Sequence, residues 1–133
     1  MSDNSPPNVW LIGAGQMAKD YAQVLKALQT SFKIIGRGKN SAEIFESATE
    51  IAVQTGGVES TLQKEAAPEM AIIAVGVEQL ASVTMQLLRT GTKKILLEKP
   101  GGMNVEELQQ LHSEAQAQHA EVWLAYNRRF YEA

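Results

Sequence analysis

Three stretches of this sequence bring together residue types suited to binding or transforming a charged small molecule. The hexapeptide Gly13-Ala14-Gly15-Gln16-Met17-Ala18 has glycine at its first and third positions and alanine at its sixth. Between a strand and a helix, each small residue of such a turn has a physical task. Gly13 permits the tight bend, Gly15 has no Cβ to hold off an approaching pyrophosphate, and Ala18 lets helix and strand pack closely. Backbone amides at the helix start, with Ala14, Gln16 and Met17 around them, then meet the anion with unpaired donors and a favourable dipole. The letters alone also fit a βα turn that binds nothing, or the glycine-rich turn of a methyltransferase.

The second stretch is Gly36-Arg37-Gly38-Lys39-Asn40-Ser41. An NAD-type site carries Asp or Glu about 20 residues beyond the glycines, where it accepts hydrogen bonds from the adenosine ribose. Here no carboxylate appears until Glu43. Arg37, Lys39 and the Ser41 hydroxyl suit a 2′-phosphate instead, with Arg37 as its bidentate partner and a stacking surface for adenine, which favours NADP over NAD. A solvated basic loop is the competing reading.

The third stretch has two parts, Glu98-Lys99-Pro100-Gly101-Gly102 and Ala125-Tyr126-Asn127-Arg128-Arg129-Phe130-Tyr131. Each follows an apolar run. In a doubly wound sheet the carboxyl ends of the strands are where ligands bind, so both belong to one mouth.

Five nearly continuous apolar runs, 9–12, 33–35, 70–75, 94–97 and 122–126, have the character of strands covered on both faces, and a sixth, weaker candidate lies near Val58. Segments of helical period separate them. Met17, Tyr21, Val24 and Leu28 mark one helical face, and Ser41 serves as N-cap for a helix with Ile44, Phe45, Ala48 and Ile51 inward, stopped by Gly56-Gly57. A third long helix carries Leu80, Val83 and Leu87 and ends near Gly91. Asn104 followed by Glu107 resembles a capping box before a fourth helix with Val105, Leu108, Leu111 and Ala115 buried. Thr61 to Pro68 reads equally as a short helix or an irregular loop. The alternation implies an α/β fold: a doubly wound, mostly parallel six-stranded Rossmann sheet in three layers.

With 133 residues the chain has room for one domain. Residues 1–8 read as a flexible N-terminal arm, 9–126 as the NAD(P)-binding Rossmann domain and 127–133 as the start of a linker. A net charge of -3 gives no electrostatic reason for a nucleic-acid partner. The absence of cysteine excludes disulfides, thiolate metal sites and cysteine nucleophiles. No metal site is expected. The start lacks the pattern of a secretory signal, and the eight-residue apolar run 70–77 is too short to span a bilayer, so the expected location is cytoplasmic, with no membrane partner. His112 and His119 fall on or just after the last helix, away from the mouth, and read as surface residues.

Taken in order, the Gly13 to Ala18 turn, Glu98-Lys99-Pro100 and Tyr126-Asn127-Arg128-Arg129-Phe130 make the chain resemble the glucose-fructose oxidoreductase / inositol dehydrogenase / MocA (Gfo/Idh/MocA) family of NAD(P)-dependent oxidoreductases. The resemblance covers essentially the whole chain and disfavours a methyltransferase. It implies hydride transfer between a nicotinamide and a hydroxyl-bearing carbon of a sugar-like substrate. It places Lys99 near the nicotinamide and the reacting hydroxyl as the catalytic residue, Glu98 beside it, and Asn127 and Arg128 near the substrate. After the fourth strand, the run 70–75 when the weak candidate is counted, the family often shows Thr-Pro-Asn with a nearby His, whereas this sequence has Val75-Gly76-Val77-Glu78. The cofactor loop is expected to differ accordingly, with Gly76 still permitting close backbone approach. The family's second α/β domain, with its Asp, its His and much of the oligomer interface, would lie beyond Ala133. The expectation is therefore the cofactor platform of an oxidoreductase; the alternative is a non-catalytic dinucleotide-binding regulator or assembly module.

Overall fold

A computed structural model describes residues 9–98 and 104–125. The strands are β1 (Val9–Ile12), β2 (Phe32–Ile35), β3 (Val53–Gln54), β4 (Met70–Ile73), β5 (Lys94–Glu98) and β6 (Glu121–Ala125). They alternate with α1 (Gln16–Ala27), α2 (Lys39–Thr49), α3 (Gly57–Lys64), α4 (Val77–Thr90) and α5 (Val105–Ala117). All described pairings are parallel, in the order β3-β2-β1-β4-β5-β6. The strand order thus reverses direction between β1 and β4, which opens a crevice at their carboxyl ends.

Alternate strand residues feed two cores, one on each face of the sheet. Leu11, Ile34 and Ile72 pack with Ala18, Ala22 and Leu25 of α1 and with Ala42 and Phe45 of α2. Trp10, Ile12, Ile73, Ile95 and Leu97 pack on the other face with Val58 of α3, Leu80 and Leu87 of α4, and Leu111 and Ala115 of α5. Because both faces are covered, the central strands carry apolar residues in succession rather than in alternation. Among the described residues the architecture is the three-layer, doubly wound one expected.

The helices correct several details of the sequence reading. On α1 the buried stripe is Ala18, Ala22 and Leu25, whereas Val24 and Leu28 are 55% and 68% exposed. Small side chains let this helix lie close to the sheet, and the larger apolar residues at competing helical spacing are left outside. Ser41 is not the N-cap of α2. Gly38 holds that position, and Ser41 lies within the first turn. Ala42 and Phe45 form the buried face of α2, while Ile44 is 58% exposed. The helix closes at Glu50 in the left-handed region, well before Gly56-Gly57. Those two glycines, both at positive φ, instead turn the chain from β3 into α3. The weak strand is therefore Val53–Gln54, and Val58 is a core residue of the following helix. The undecided stretch from Thr61 is helical as far as Lys64 and irregular beyond it.

α4 and α5 follow the reading more closely. α4 buries Leu80 and Leu87 and ends at Gly91, which adopts φ 114° and returns its N–H to the carbonyls of Leu87 and Leu88. Asn104 caps α5, its side-chain oxygen accepting from the Glu107 N–H at 2.9 Å. Asn104→Ala is expected to cost about 1 kcal/mol, read as a lower urea midpoint with an unchanged slope. Of the four residues expected inside, Leu111 and Ala115 are buried, but Val105 is 66% exposed and Leu108 lies at the surface. His112 and His119 are both exposed, as expected.

Candidate dinucleotide site

The principal cleft, of about 670 Å³, lies over the carboxyl ends of β1, β2 and β4. Four connections build it: Gly13-Ala14-Gly15 after β1, Arg37, Gly38 and Ser41 after β2, Gly56-Gly57 with Val58 and Glu59 after β3, and Val75-Gly76 after β4. The last two continue into the first turns of α3 and α4. Its size falls within the range of about 300–1,000 Å³ typical of small-molecule sites.

The turn after β1 is held from both sides. Gly13 donates its N–H to the Ile35 carbonyl at 2.8 Å, and the Ala74 N–H donates to the Ile12 carbonyl at 2.8 Å. At Gly13, with φ +124°, a Cβ would fall 2.2 Å from the Ala74 carbonyl oxygen. Only glycine fits between β1 and the end of β4. Gly15 is in a different situation, since a Cβ there would meet nothing within 4 Å. Packing among the described residues therefore does not require glycine at this position. Gly15 is also the N-cap of α1 and supplies no side-chain cap, so the first-turn amides of Gln16 and Met17 precede the intrahelical ladder, which starts with the Lys19 N–H donating to the Gly15 carbonyl at 3.2 Å. Free amides, an open glycine and a positive helix end together make an anion cradle. That arrangement fits the pyrophosphate of a dinucleotide.

The next wall is fastened to the third. Gly57 donates to the Gly36 carbonyl at 2.9 Å, and a Cβ on Gly57 would lie 3.4 Å from Cγ of Arg37. The stem of Arg37 therefore runs across Gly57 and is supported by it. Arg37 and Ser41 are exposed and line the cleft. Lys39, the first residue of α2, is exposed and lies outside the cleft lining.

Other expected site residues are distributed as follows. Gly13, Ala14, Gly15, Arg37, Ser41, Val75 and Gly76 come together in the cleft. Gln16 and Met17 follow Gly15 in the first turn of α1 and are not among the residues that line the cleft; the Gln16 side chain turns toward Asp20, with a donor–acceptor distance of 3.4 Å. Glu98 stands at the end of β5, where its carboxylate accepts a hydrogen bond from the Tyr21 hydroxyl at 2.6 Å. This ties β5 to α1, next to the phosphate turn, rather than extending Glu98 into the cleft. Lys99, Asn127 and Arg128 lie outside the described residues. Glu98 and Ala125 are partners in the β5–β6 ladder, so both strands end at the same edge of the sheet.

Sequence reasoning missed the third wall and part of the fourth. Glu59 on α3 and Glu78, Gln79, Ser82, Val83 and Gln86 on α4 all line the cleft. Glu78 folds back over Gly76, where a Cβ would come within 2.7 Å of its Oε1. The Gly56-Gly57 pair was the available signal, since a double glycine at the end of a strand marks a loop close to the crevice as readily as it stops a helix. Among the described residues no group of His, Asp or Glu is placed to hold a metal ion, and no helix is long and apolar enough to cross a membrane.

Comparison with known proteins agrees with this geometry. Over 127 residues the chain is 31% identical to trans-1,2-dihydrobenzene-1,2-diol dehydrogenase of Mus musculus, covering 92% of this chain and 38% of that protein. The WlbA dehydrogenase of Bordetella pertussis, solved with NADH and UDP-GlcNAcA, superposes with a TM-score of 0.78 at 15% identity, over 94% of this chain and 39% of its own. Biliverdin reductase of Synechocystis sp. PCC 6803, solved with biliverdin and NADP+, superposes with a TM-score of 0.73 at 16% identity, over 87% of this chain and 36% of its own. These two structures share the fold. The chain spans less than two fifths of the length of each of these three relatives. The model of the oxidoreductase family with an NAD-binding Rossmann fold matches residues 7–126. With its glycine turn, strand order and cleft in the places that this match requires, the chain belongs to the Gfo/Idh/MocA oxidoreductase family, as its NAD-binding Rossmann domain.

Proposed function

We propose that the chain is the cofactor-holding part of an NADP-preferring oxidoreductase that moves hydride between the nicotinamide and a hydroxyl-bearing carbon of a sugar-like substrate. The observation that carries the cofactor preference is Arg37, exposed at the end of β2, braced on Gly57 and lining the cleft with Gly38 and Ser41. A guanidinium in that position matches a 2′-phosphate with two parallel hydrogen bonds, whereas a ribose hydroxyl is better served by a carboxylate. The loop from Gly36 to Ser41 contains none.

The names of the relatives support this substrate class. The mouse protein is by its name a dehydrogenase of a diol, and WlbA was solved with a nucleotide sugar acid. Both names point to carbons that bear hydroxyl groups. The bound dinucleotide supplies the hydride acceptor. In this reading Lys99 hydrogen-bonds the reacting hydroxyl and takes its proton, and Asn127 and Arg128 contact the substrate. The remaining substrate contacts belong to the complete protein, where a homo-oligomer is also open.

Arg37→Ala is the direct test of the cofactor assignment. Binding measured by nicotinamide fluorescence is expected to favour NADPH over NADH in the native chain. The substitution should weaken NADPH about tenfold while leaving NADH within about twofold, as the loss of one charge-assisted pair predicts. Equal or tighter binding of NADH by the native chain would overturn the 2′-phosphate assignment.

A further inference from the structure

Two parts of the proposed machinery belong to different strands. The anion cradle lies at the start of α1, directly after β1, whereas Lys99 follows the last residue of β5, and β4 stands between those strands. The β4–β5 ladder closes at Ile73 and Leu97, so the register gives Glu98 one strand partner, Ala125 of the edge strand β6. At its carboxyl end β5 is therefore held by a ladder on its outer side alone. A side-chain hydrogen bond supplies the other side.

Leu96 packs with the core on the α1 face of the sheet, and strand alternation puts Glu98 on that face as well. Tyr21 of α1 packs against the same core. Its hydroxyl donates to Glu98 Oε2 at 2.6 Å, in a part-buried contact between residues 77 positions apart. A carboxylate acceptor at short range makes this one of the stronger kinds of hydrogen bond, and partial burial limits competition from water. Tyr21 stands five residues beyond Gln16, about 7.5 Å along the helix axis. The helix that begins at the cradle is thus tied to the residue that precedes Lys99.

We infer that Tyr21 is a positioning residue: by holding the Glu98 carboxylate it sets the place of Lys99 relative to the pyrophosphate cradle, so that a dinucleotide seated on α1 presents its nicotinamide to that lysine. This rests on the roles proposed for the glycine turn and for Lys99, and adds the link between them. Neither Tyr21 nor Glu98 lines the cleft. The pair acts through the backbone that it fixes. Without the hydroxyl, the end of β5 keeps only the edge strand, and the held arrangement loses about tenfold in population, the usual worth of a charge-assisted hydrogen bond.

The test reads Lys99 in the chain itself, as its rate of acetylation by acetic anhydride with and without saturating NADPH, followed by peptide mass spectrometry. Lys26, exposed in the last turn of α1, is the internal reference. In the native chain NADPH is expected to slow acetylation of Lys99 about tenfold, as for a lysine covered in all but about a tenth of the molecules. Tyr21→Phe keeps the ring and its packing. There the slowing should fall to within about twofold, while NADPH still shifts the Gly15 to Met17 amides in NMR spectra. Glu98→Gln keeps an acceptor oxygen for the hydroxyl and should retain the protection, whereas Glu98→Ala should lose it. A role in stability alone would leave Lys99 protected in every folded variant. Undiminished protection in Tyr21→Phe, equal protection in the two Glu98 variants, or loss of NADPH binding in Tyr21→Phe overturns the assignment of Tyr21. An unprotected Lys99 in the native chain with NADPH bound overturns the place given to that lysine, and failure of NADPH to bind overturns the dinucleotide reading as a whole.

Discussion

Gly13→Ala is expected to lower the stability of the domain by about 3 kcal/mol or more, seen as a fall in melting temperature of about 10 °C or more. Two costs combine at this position. The backbone sits at φ +124°, where side-chain-bearing residues are strained, and the new Cβ would lie 2.2 Å from the Ala74 carbonyl oxygen. The obstacle is main chain, so no rotamer change relieves it. Nor can the turn move aside. Gly13 is bonded to Ile35, and Ala74 to Ile12, which fastens the end of β1 between β2 and β4. A variant as stable as the native chain would show that the turn is more pliable than these contacts require.

Gly15→Asp is expected to separate binding from stability. A Cβ at Gly15 meets nothing within 4 Å, and its φ of −95° is open to any residue. The residue is the N-cap of α1, a position at which aspartate is a better residue than glycine by a few tenths of a kcal/mol. The folded state should therefore be as stable as the native one, or slightly more so. The same carboxylate occupies the space kept for the pyrophosphate and competes for the first-turn amides of α1. Like charges brought together at a binding site cost several kcal/mol, and NADPH affinity should fall about 100-fold or more. A destabilised variant would assign Gly15 to packing, and unchanged affinity would remove the phosphate from this turn.

The contrast between these two glycines shows what could be read without coordinates. The letters of the turn identified both, along with the helix start that follows. Largely buried strands such as β1 and β4 were legible because continuous apolar runs that end at a glycine leave few alternatives. The α5 cap was legible because Asn104 and Glu107 stand at the spacing that a single turn imposes. β3 was misplaced because a two-residue edge strand carries almost no pattern, and Val58, an apolar residue nearby, belongs to the helix beside it. On α1 two of the three buried side chains are alanines, Ala18 and Ala22, beside Leu25. A scale that rewards size selected Val24 and Leu28 instead.

The site was legible where one loop suffices and obscure where several converge. Arg37 could be named because it follows a strand directly. The contributions of α3 and α4 depend on the strand order, which brings the end of β3 and the end of β4 to the same crevice although residues 55–72 lie between Gln54 and the close of β4 at Ile73. Nothing in the local sequence around Gln79, Gln86 or Glu59 announces a ligand. Their place becomes evident only once buried Leu80 and Leu87 fix which side of α4 faces the core.

The central claim is that a dinucleotide lies across this cleft with its pyrophosphate on the Gly13 to Ala18 turn. It is tested most directly by titrating the isotopically labelled chain with NADPH and following the backbone amides by NMR. The largest shifts are predicted at Gly15, Gln16 and Met17, with a second group at Gly36 to Gly38 and Gly57. Saturating NADPH that leaves those amides unmoved, or that moves only residues outside the cleft, would contradict the account.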